Sequence, residues 1–297
     1  MDKTIREIFK ANSLKCDKIV KSEAGFTSLV YFVDDTYVIK LASQTTGLKL
    51  KKEILFYKNV KEDFLPQYVS SGEEPVAYLI IKKIGGKSLY NIWHIISESE
   101  RENIIKEMCN ILKKINSYSG DFLPQKYRCS SWKDKWLKAF EYNAKLLKEK
   151  KIDTFFMEDF AKTKLCDIIN EQKICLVYND AHFDNFIFDG KKLYIIDFDR
   201  VIEGSSDYEL LILDSMLDNP LKFASEEEEK FVNVDHYKNV RSYIKKYYGE
   251  IYSYNHFEDR LFIYKFFYRL SAGFEYNHDE WLNKEIILFK EHFGYKQ

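Results

Sequence analysis

Glycine and proline are scarce, at 11 and 4 in 297 residues, which excludes a collagenous or low-complexity chain. Cysteine is also scarce and odd in number. Cys16, Cys109, Cys129, Cys166 and Cys175 are widely spaced and form no C-x-x-C, so neither a disulfide frame nor a zinc site is indicated. Reduced, mostly buried thiols in a cytoplasmic protein are the expectation. There is no excess of one charge. The 46 Lys and Arg nearly balance 47 Asp and Glu, giving a formal net charge of −1. A polyanionic partner normally needs a basic excess, so no nucleic-acid partner is expected. No stretch approaches the roughly 18 uncharged apolar residues of a membrane span. The start, Met1-Asp2-Lys3-Thr4-Ile5-Arg6-Glu7, is charged from its second residue and lacks the apolar run of a signal peptide, so no membrane partner is expected.

Aromatic residues are plentiful, at 16%, within a hydrophobic set of 45%. That is too apolar for disorder, and a chain this long buries a sizeable core. The length allows one large domain or two closely packed lobes.

The first third reads as strands with one helix. Leu29–Val33 and Tyr37–Leu41 form a strand pair around the turn Asp34-Asp35. Residues 48–59 are helical, with Leu50, Ile54, Leu55 and Val60 near one face. Tyr78–Ile81 is another strand, and Gly85-Gly86 marks a boundary or hinge. From about residue 97 the pattern is helical. Ser97 and Glu100 have the form of a capping box, and Ile104, Met108, Ile111 and Ile115 share a face. Trp132, Trp136 and Phe140 repeat every four residues. Residues 174–178 and 193–196 are short apolar runs, the second introduced by Asp189-Gly190. Helices are expected again over about 208–217, 234–247, 258–272 and 279–292, and Glu226–Glu229 reads as a solvated helix start.

The densest polar cluster in apolar surroundings spans Tyr178-Asn179-Asp180-Ala181-His182-Phe183-Asp184-Asn185, followed by Ile195-Ile196-Asp197-Phe198-Asp199. If the flanking apolar runs pair as a hairpin through Asp189-Gly190, Asp180, Asn185 and Asp197 come together. Oxygen donors of this kind suit a hard cation such as Mg²⁺, and a carboxylate left over could take a proton from a hydroxyl.

These residues resemble the aminoglycoside phosphotransferase and choline kinase superfamily, whose loop has the form H-G-D-x-H-x-x-N before a strand ending I-D-F/W-x. The resemblance implies that Asp180 is the catalytic base, that Asn185 and Asp197 hold Mg²⁺, and that His182 buttresses the loop. Tyr178, Asn179 and Phe183-Asp184 depart from the family's His, Gly and Pro-Gly. The earlier segments fit the same order. Lys40 is similar to the family's strand Lys, and Glu53 to its helix Glu, while Gly25, Thr27 and Ser28 fall where phosphates are covered. Tyr78-Leu79-Ile80-Ile81-Lys82-Lys83-Ile84 looks like the hinge strand, with adenine meeting the backbone of Lys82 to Ile84 and Ile81 behind it. No A-P-E follows Asp197, which separates this chain from protein kinases.

The implied architecture is α+β and two-lobed, protein-kinase-like. A nucleotide-binding lobe over residues 1–83 is followed by a helical catalytic and substrate-binding lobe over 84–297. The implied activity is transfer of a phosphoryl group from ATP or GTP, with Mg²⁺, to a hydroxyl of a small molecule, by a monomer or weak dimer. Asp199, Glu203, Asp207 and Glu209 follow the metal Asp, where the family borders its acceptor pocket. Carboxylates there would attract a cationic acceptor such as an aminoglycoside. The acids at 207 and 209 also suit a helix start on their own account. A quaternary amine comes second, with Tyr268, Phe274, Tyr276 and Trp281 as candidate rings. The alternatives are a choline-, ethanolamine- or sugar-type kinase, or a kinase-fold binding or coat protein without catalysis, which the altered loop would suit.

Overall fold

The computed structural model describes residues 1–22, 29–43, 46–170 and 173–296. The chain opens on α1 (Asp2–Ala11), then β1 (Ile19–Lys21), β2 (Leu29–Val33), β3 (Tyr37–Leu41), α2 (Gly47–Asn59), β4 (Tyr68–Gly72) and β5 (Tyr78–Lys82). Among the described residues these strands form one antiparallel sheet in the order β1-β2-β3-β5-β4. Asp34 and Asp35 both take left-handed φ, 52° and 49°, as a tight hairpin turn that matches the strand twist requires.

Side chains on a strand alternate between faces, and β3 uses both. Ile39 and Leu41 pack with Ile5, Ile8 and Phe9 of α1, whereas Val38 packs on the opposite side and Lys40 shares its face. Among the described residues before Gly85-Gly86 there are therefore two helices, not one. Ile5, Ile8 and Phe9 form the i, i+3, i+4 stripe that docks α1, each burial contributing about 1.5–3 kcal/mol.

Beyond Gly85-Gly86 come β6 (Lys87–Ser88), α3 (Leu89–Trp93), α4 (Glu98–Asn116), α5 (Trp132–Glu149), α6 (Phe155–Thr163), α7 (Leu165–Ile168) and β7 (Cys175–Val177). They are followed by β8 (Phe186–Phe188), β9 (Leu193–Ile195), β10 (Ile202–Gly204), α8 (Leu210–Asp218), α9 (Glu226–Glu229), α10 (Val240–Tyr247), α11 (Phe257–Glu275) and α12 (Asp279–Phe293). The fold is kinase-like, a small antiparallel lobe on a helical one. Ser97 and Glu100 make the reciprocal bonds of a capping box at the start of α4. Trp132, Trp136 and Phe140 enter a core shared with α11 and α12.

Two pairings differ from the sequence reading. The run at 174–178 does not pair as a strand with the run at 193–196. β8 pairs with β9 through the turn at Asp189, whose Oδ1 accepts the N–H groups of Lys191 and Lys192 at 2.8 Å, while β7 pairs with β10. The short link selects the nearer partner, and residues 178–185 are left as a loop between the two ribbons. Glu228 is not solvated. It is 6% exposed, closes a capping box on Ser225 and accepts from Ser88 Oγ and Asn91 Nδ2 at 2.9 and 2.6 Å. A Ser at the N-cap with Glu at N3 turns that one carboxylate inward.

Candidate active site

Lys40 leaves β3 on the face opposite α1 and meets α2. Its Nζ lies 2.8 and 3.0 Å from the two Glu53 oxygens and 3.1 Å from Asp197 Oδ1, across 157 residues of chain. Burial pulls the ammonium down, but Asp197 and Glu53 outweigh it and hold its pKa above the usual lysine range. Burial likewise works against Asp197, yet Lys40 keeps its carboxyl below the usual range. Phe198, next to Asp197, stacks on Phe56 of α2 at 3.8 Å between ring centroids and is fully buried, which anchors the segment after β9 to the helix.

The loop after β7 is held from behind. Glu209, fully buried, accepts the N–H groups of Tyr178 and Asn179 at 2.7 and 3.1 Å and the Asn116 amide at 2.9 Å. Tyr178 Oη donates to the Ile196 carbonyl at 2.6 Å, fastening the loop to the strand that leads into Asp197. Asn179 has φ 58°, the left-handed region that glycine enters freely and Asn tolerates. This accounts for Asn where related loops carry Gly. Phe183 packs against Trp93, Tyr90 and Tyr237 and so fills the helical lobe where a proline would sit.

Asp180, Asn185 and His182 converge. Asn185 Nδ2 donates to the Asp180 carbonyl and to Asp180 Oδ2, both at 3.0 Å, and lies 3.0 Å from His182 Nε2. Burial keeps the imidazole pKa below its ordinary value, so it is neutral. Burial also pushes Asp180 up to about 7, against the pull of Arg200, whose Nε is 3.4 Å from Asp180 Oδ1.

Asp197 and Asn185 fit a magnesium ion as a sparse donor set. The Asn185 amide hydrogens are committed to Asp180 and His182, which leaves its Oδ1 pointing elsewhere. The Asp197 side chain is 36% exposed despite its bond to Lys40. Among the described residues no cluster of three or more His, Cys, Asp or Glu could hold a metal ion. One carboxylate and one amide, completed by phosphate oxygens and water, is how Mg²⁺ is held at nucleotides.

At the hinge, Ile81 is 4% exposed. The N–H groups of Lys82 and Lys83 go to the Gln67 and Thr36 carbonyls at 2.8 and 2.9 Å. Among the described residues, Ile84 is the one of the three whose N–H is not used in this way. The side chains of Lys82 and Lys83 lie over Tyr37 and against Asp35. Gly25, Thr27 and Ser28 lie outside the described residues.

The acids expected to border the acceptor are turned inward. Asp207 is 1% exposed and is clamped by Arg260, with Nε 2.6 Å and Nη2 3.1 Å away, and by Tyr264 Oη. Glu209 holds the loop as described. Glu203, 6% exposed, accepts the Cys129 N–H at 2.7 Å. Asp199, 7% exposed, stands 3.9 Å from Lys49. Residues 205–209 pass beneath α11, where fully buried Arg260 needs a counter-ion, and this takes Asp207 out of reach of an acceptor. Asp214 is likewise bound to Arg241 and Lys265. Of the candidate rings, Tyr268 lies beside Arg200 and Tyr276 is 70% exposed. Sequence reading passed over Arg200 and the structural part of Glu209, because no spacing connects either residue to the loop it touches.

Comparison with known proteins gives the same picture. The profile of the Phosphotransferase enzyme family (APH) matches residues 18–220. No curated protein matches the chain significantly. Among solved structures, ADP-bound aminoglycoside phosphotransferase APH(2'')-Ib is 22% identical, with TM-score 0.62 over 96% of this chain and 95% of the other. The GDP and kanamycin complex of APH(2'')-IIIa is 14% identical, with TM-score 0.60 over 97% of each chain. A choline/ethanolamine kinase family protein from Mesorhizobium loti is 12% identical, with TM-score 0.58 over 93% of this chain and 87% of that one. At these identities the likeness is one of fold.

Proposed function

This chain belongs to the phosphotransferase enzyme family, and from that premise we propose that it transfers the γ-phosphoryl group of ATP or GTP to a hydroxyl of a small molecule. The observation that carries the reading is the convergence of Lys40, Glu53 and Asp197 beside Asp180 and Asn185, drawn from both lobes. The nucleotide lies against the lobe of residues 1–83, its base at Lys82 to Ile84 in front of Ile81. Residues 84–297 take the acceptor.

Lys40 neutralises phosphate charge, and Glu53 fixes its position. Asp197 and Asn185 would hold Mg²⁺, which supplies further charge neutralisation on the phosphates when bound. Asp180 accepts the hydroxyl proton as the acceptor oxygen bonds to phosphorus and the bond to the bridging oxygen breaks, releasing the nucleoside diphosphate. Neutral His182 and Asn185 keep the Asp180 carboxyl aimed. Free Cys16, Cys109, Cys129, Cys166 and Cys175 suit a reducing, cytoplasmic setting. A monomer or weak dimer is the proposed state.

Kanamycin in one neighbour's complex makes aminoglycosides the first acceptors to test. Choline-, ethanolamine- and sugar-type acceptors come next, on the fold shared with a choline/ethanolamine kinase family protein. A non-catalytic binding or coat role is disfavoured, because the replaced loop residues Tyr178, Asn179 and Phe183 each have a defined structural partner. The test is release of nucleoside diphosphate over a panel of hydroxyl acceptors, alongside thermal shift with each nucleotide and Mg²⁺. Nucleotide-dependent stabilisation with acceptor-dependent release is expected. Stabilisation without turnover on any acceptor would favour the binding role, and neither response would overturn the reading.

A further inference from the structure

Asp180 has a cation beside it that the sequence reading did not expect. Arg200 lies 3.4 Å from Asp180 Oδ1, with its guanidinium 5.6 Å from the Tyr268 ring centre. Beside it, Lys49 reaches Asp199 at 3.9 Å. Lys135 Nζ donates to the Glu203 carbonyl at 3.3 Å, and Arg128 Nε is 3.8 Å from Glu203 Oε2 and its Nη2 2.9 Å from Asp121. Lys52 stands at the centre. It is 2% exposed, its Nζ lies 3.8 Å over the Tyr127 ring, and among the described residues its ammonium has no hydrogen bond or ion pair. Burial pushes it down to about 8, and Arg200, Lys49 and Lys135 push the same way, with Asp199 opposing.

Among the described residues this patch sets the five cations Lys49, Lys52, Arg128, Lys135 and Arg200 against the four carboxylates Asp121, Asp180, Asp199 and Glu203. A chain of net charge −1 has concentrated positive charge at one place. A buried ammonium without a carboxylate partner is costly, and a ligand anion would offset that cost. The aromatic rings of Tyr127 and Tyr268 hold the cations only weakly by comparison.

We propose that this patch, between α2, Tyr127-Arg128, the start of α5 and Asp199-Arg200, binds an anionic oxygen group, carboxylate or phosphoryl, on the acceptor. The inference rests on the reading of Asp180 as the base of a hydroxyl kinase. A hydroxyl in hydrogen-bond reach of Asp180 is within about 7 Å of the guanidinium that touches its other oxygen. An acid group a few bonds from the reacting hydroxyl spans that gap. Arg200 and Lys49 meet it from the half-exposed rim, and Lys52 adds charge from below. Among the described residues each carboxylate of the patch already faces a cation, so hydroxy acids or sugar phosphates are favoured over aminoglycosides.

The test uses acceptors matched in shape and different in charge: glucuronate, glucose 6-phosphate, glucose and glucosamine, with kanamycin added. Both kcat/KM and equilibrium binding to the protein loaded with a non-hydrolysable nucleotide and Mg²⁺ are measured. The two acids should exceed glucosamine and kanamycin at least tenfold, and the ratio of the acids to one another tells carboxylate from phosphoryl. Lys52→Met should reduce that preference several-fold through KM, with nucleotide affinity unchanged. If Lys52→Met does not fold, the exposed charge reversal Lys49→Glu makes the same prediction. Kanamycin or glucosamine bound or turned over as well as the acids, or no binding of any acid to the loaded protein, overturns this inference and leaves the kinase reading standing. Absence of nucleotide binding overturns the kinase reading itself.

Discussion

The Glu209 carboxylate accepts the backbone N–H groups of Tyr178 and Asn179, at 2.7 and 3.1 Å, although it is fully buried and lies beyond β10. It acts as a brace for the loop that presents Asp180, in place of an acceptor contact. Glu209→Ala strands these two donors and the Asn116 amide, at about 1–3 kcal/mol for each unsatisfied group. A lowered melting temperature and lowered kcat are expected together. Unchanged thermal unfolding by calorimetry would remove this role.

Asp180→Asn preserves shape and loses the proton acceptor. The rate should fall by about 10²–10⁴, with nucleotide affinity within a few-fold of wild type. A variant that keeps more than half its activity shows that Asp180 is not the base.

Burial raises Asp180 to about 7, and Arg200 pulls in the other direction. A base must be deprotonated to act, so kcat/KM should rise with pH, half-maximal near 7, and level above. Arg200→Gln removes the opposing charge and should move that limb to higher pH. For stability the sign is reversed. The group's pKa is raised from 3.8, so its contribution is complete below that value and is lost as pH rises through about 7. Relative to wild type, Asp180→Asn should therefore gain stability as pH rises from about 4 to about 7, and no further above. Coincident pH–rate limbs for wild type and Arg200→Gln would contradict the electrostatic part.

Lys40→Ala removes the cation shared by Glu53 and Asp197. Loss of charge-assisted bonds worth about 1.5–3 kcal/mol should weaken nucleotide binding roughly 10- to 100-fold. Asp197→Asn should raise the Mg²⁺ concentration needed for half-maximal rate. Titration calorimetry and Mg²⁺ dependence check both, and equal Mg²⁺ requirements would count against Asp197 as a ligand.

Asn179 sits at φ 58°. Asn179→Gly should retain activity, whereas Asn179→Val should cost about 1–2 kcal/mol and displace the loop. Equal stability of the two variants would show that the backbone relaxes there.

Residues that belong to short motifs were legible in the sequence. The steps from Asp180 to Asn185 and from Ile196 to Asp197 and the capping box at Ser97 depend on local geometry, which spacing records, whereas α1 was missed. The strand Asp34-Asp35 turn and the helix carrying Glu53 were readable for the same reason. The pairing of β7 with β10 was not, because an apolar run of three residues states that it is buried without naming its partner.

The order of chemical groups along the chain, and with it the kinase-like family, was determined by the sequence alone. Which of these charges are neutralised was decided only in three dimensions. An Asp attracts a cation when it is exposed, and is silent when Arg260 neutralises it from 53 residues away, as at Asp207. A Lys on a helix is an ordinary surface charge until folding buries it over Tyr127 with, among the described residues, no carboxylate in ion-pair contact, as at Lys52. Coulomb energies depend on distance and burial, and those follow from which distant segments pack together, not from the order of residues.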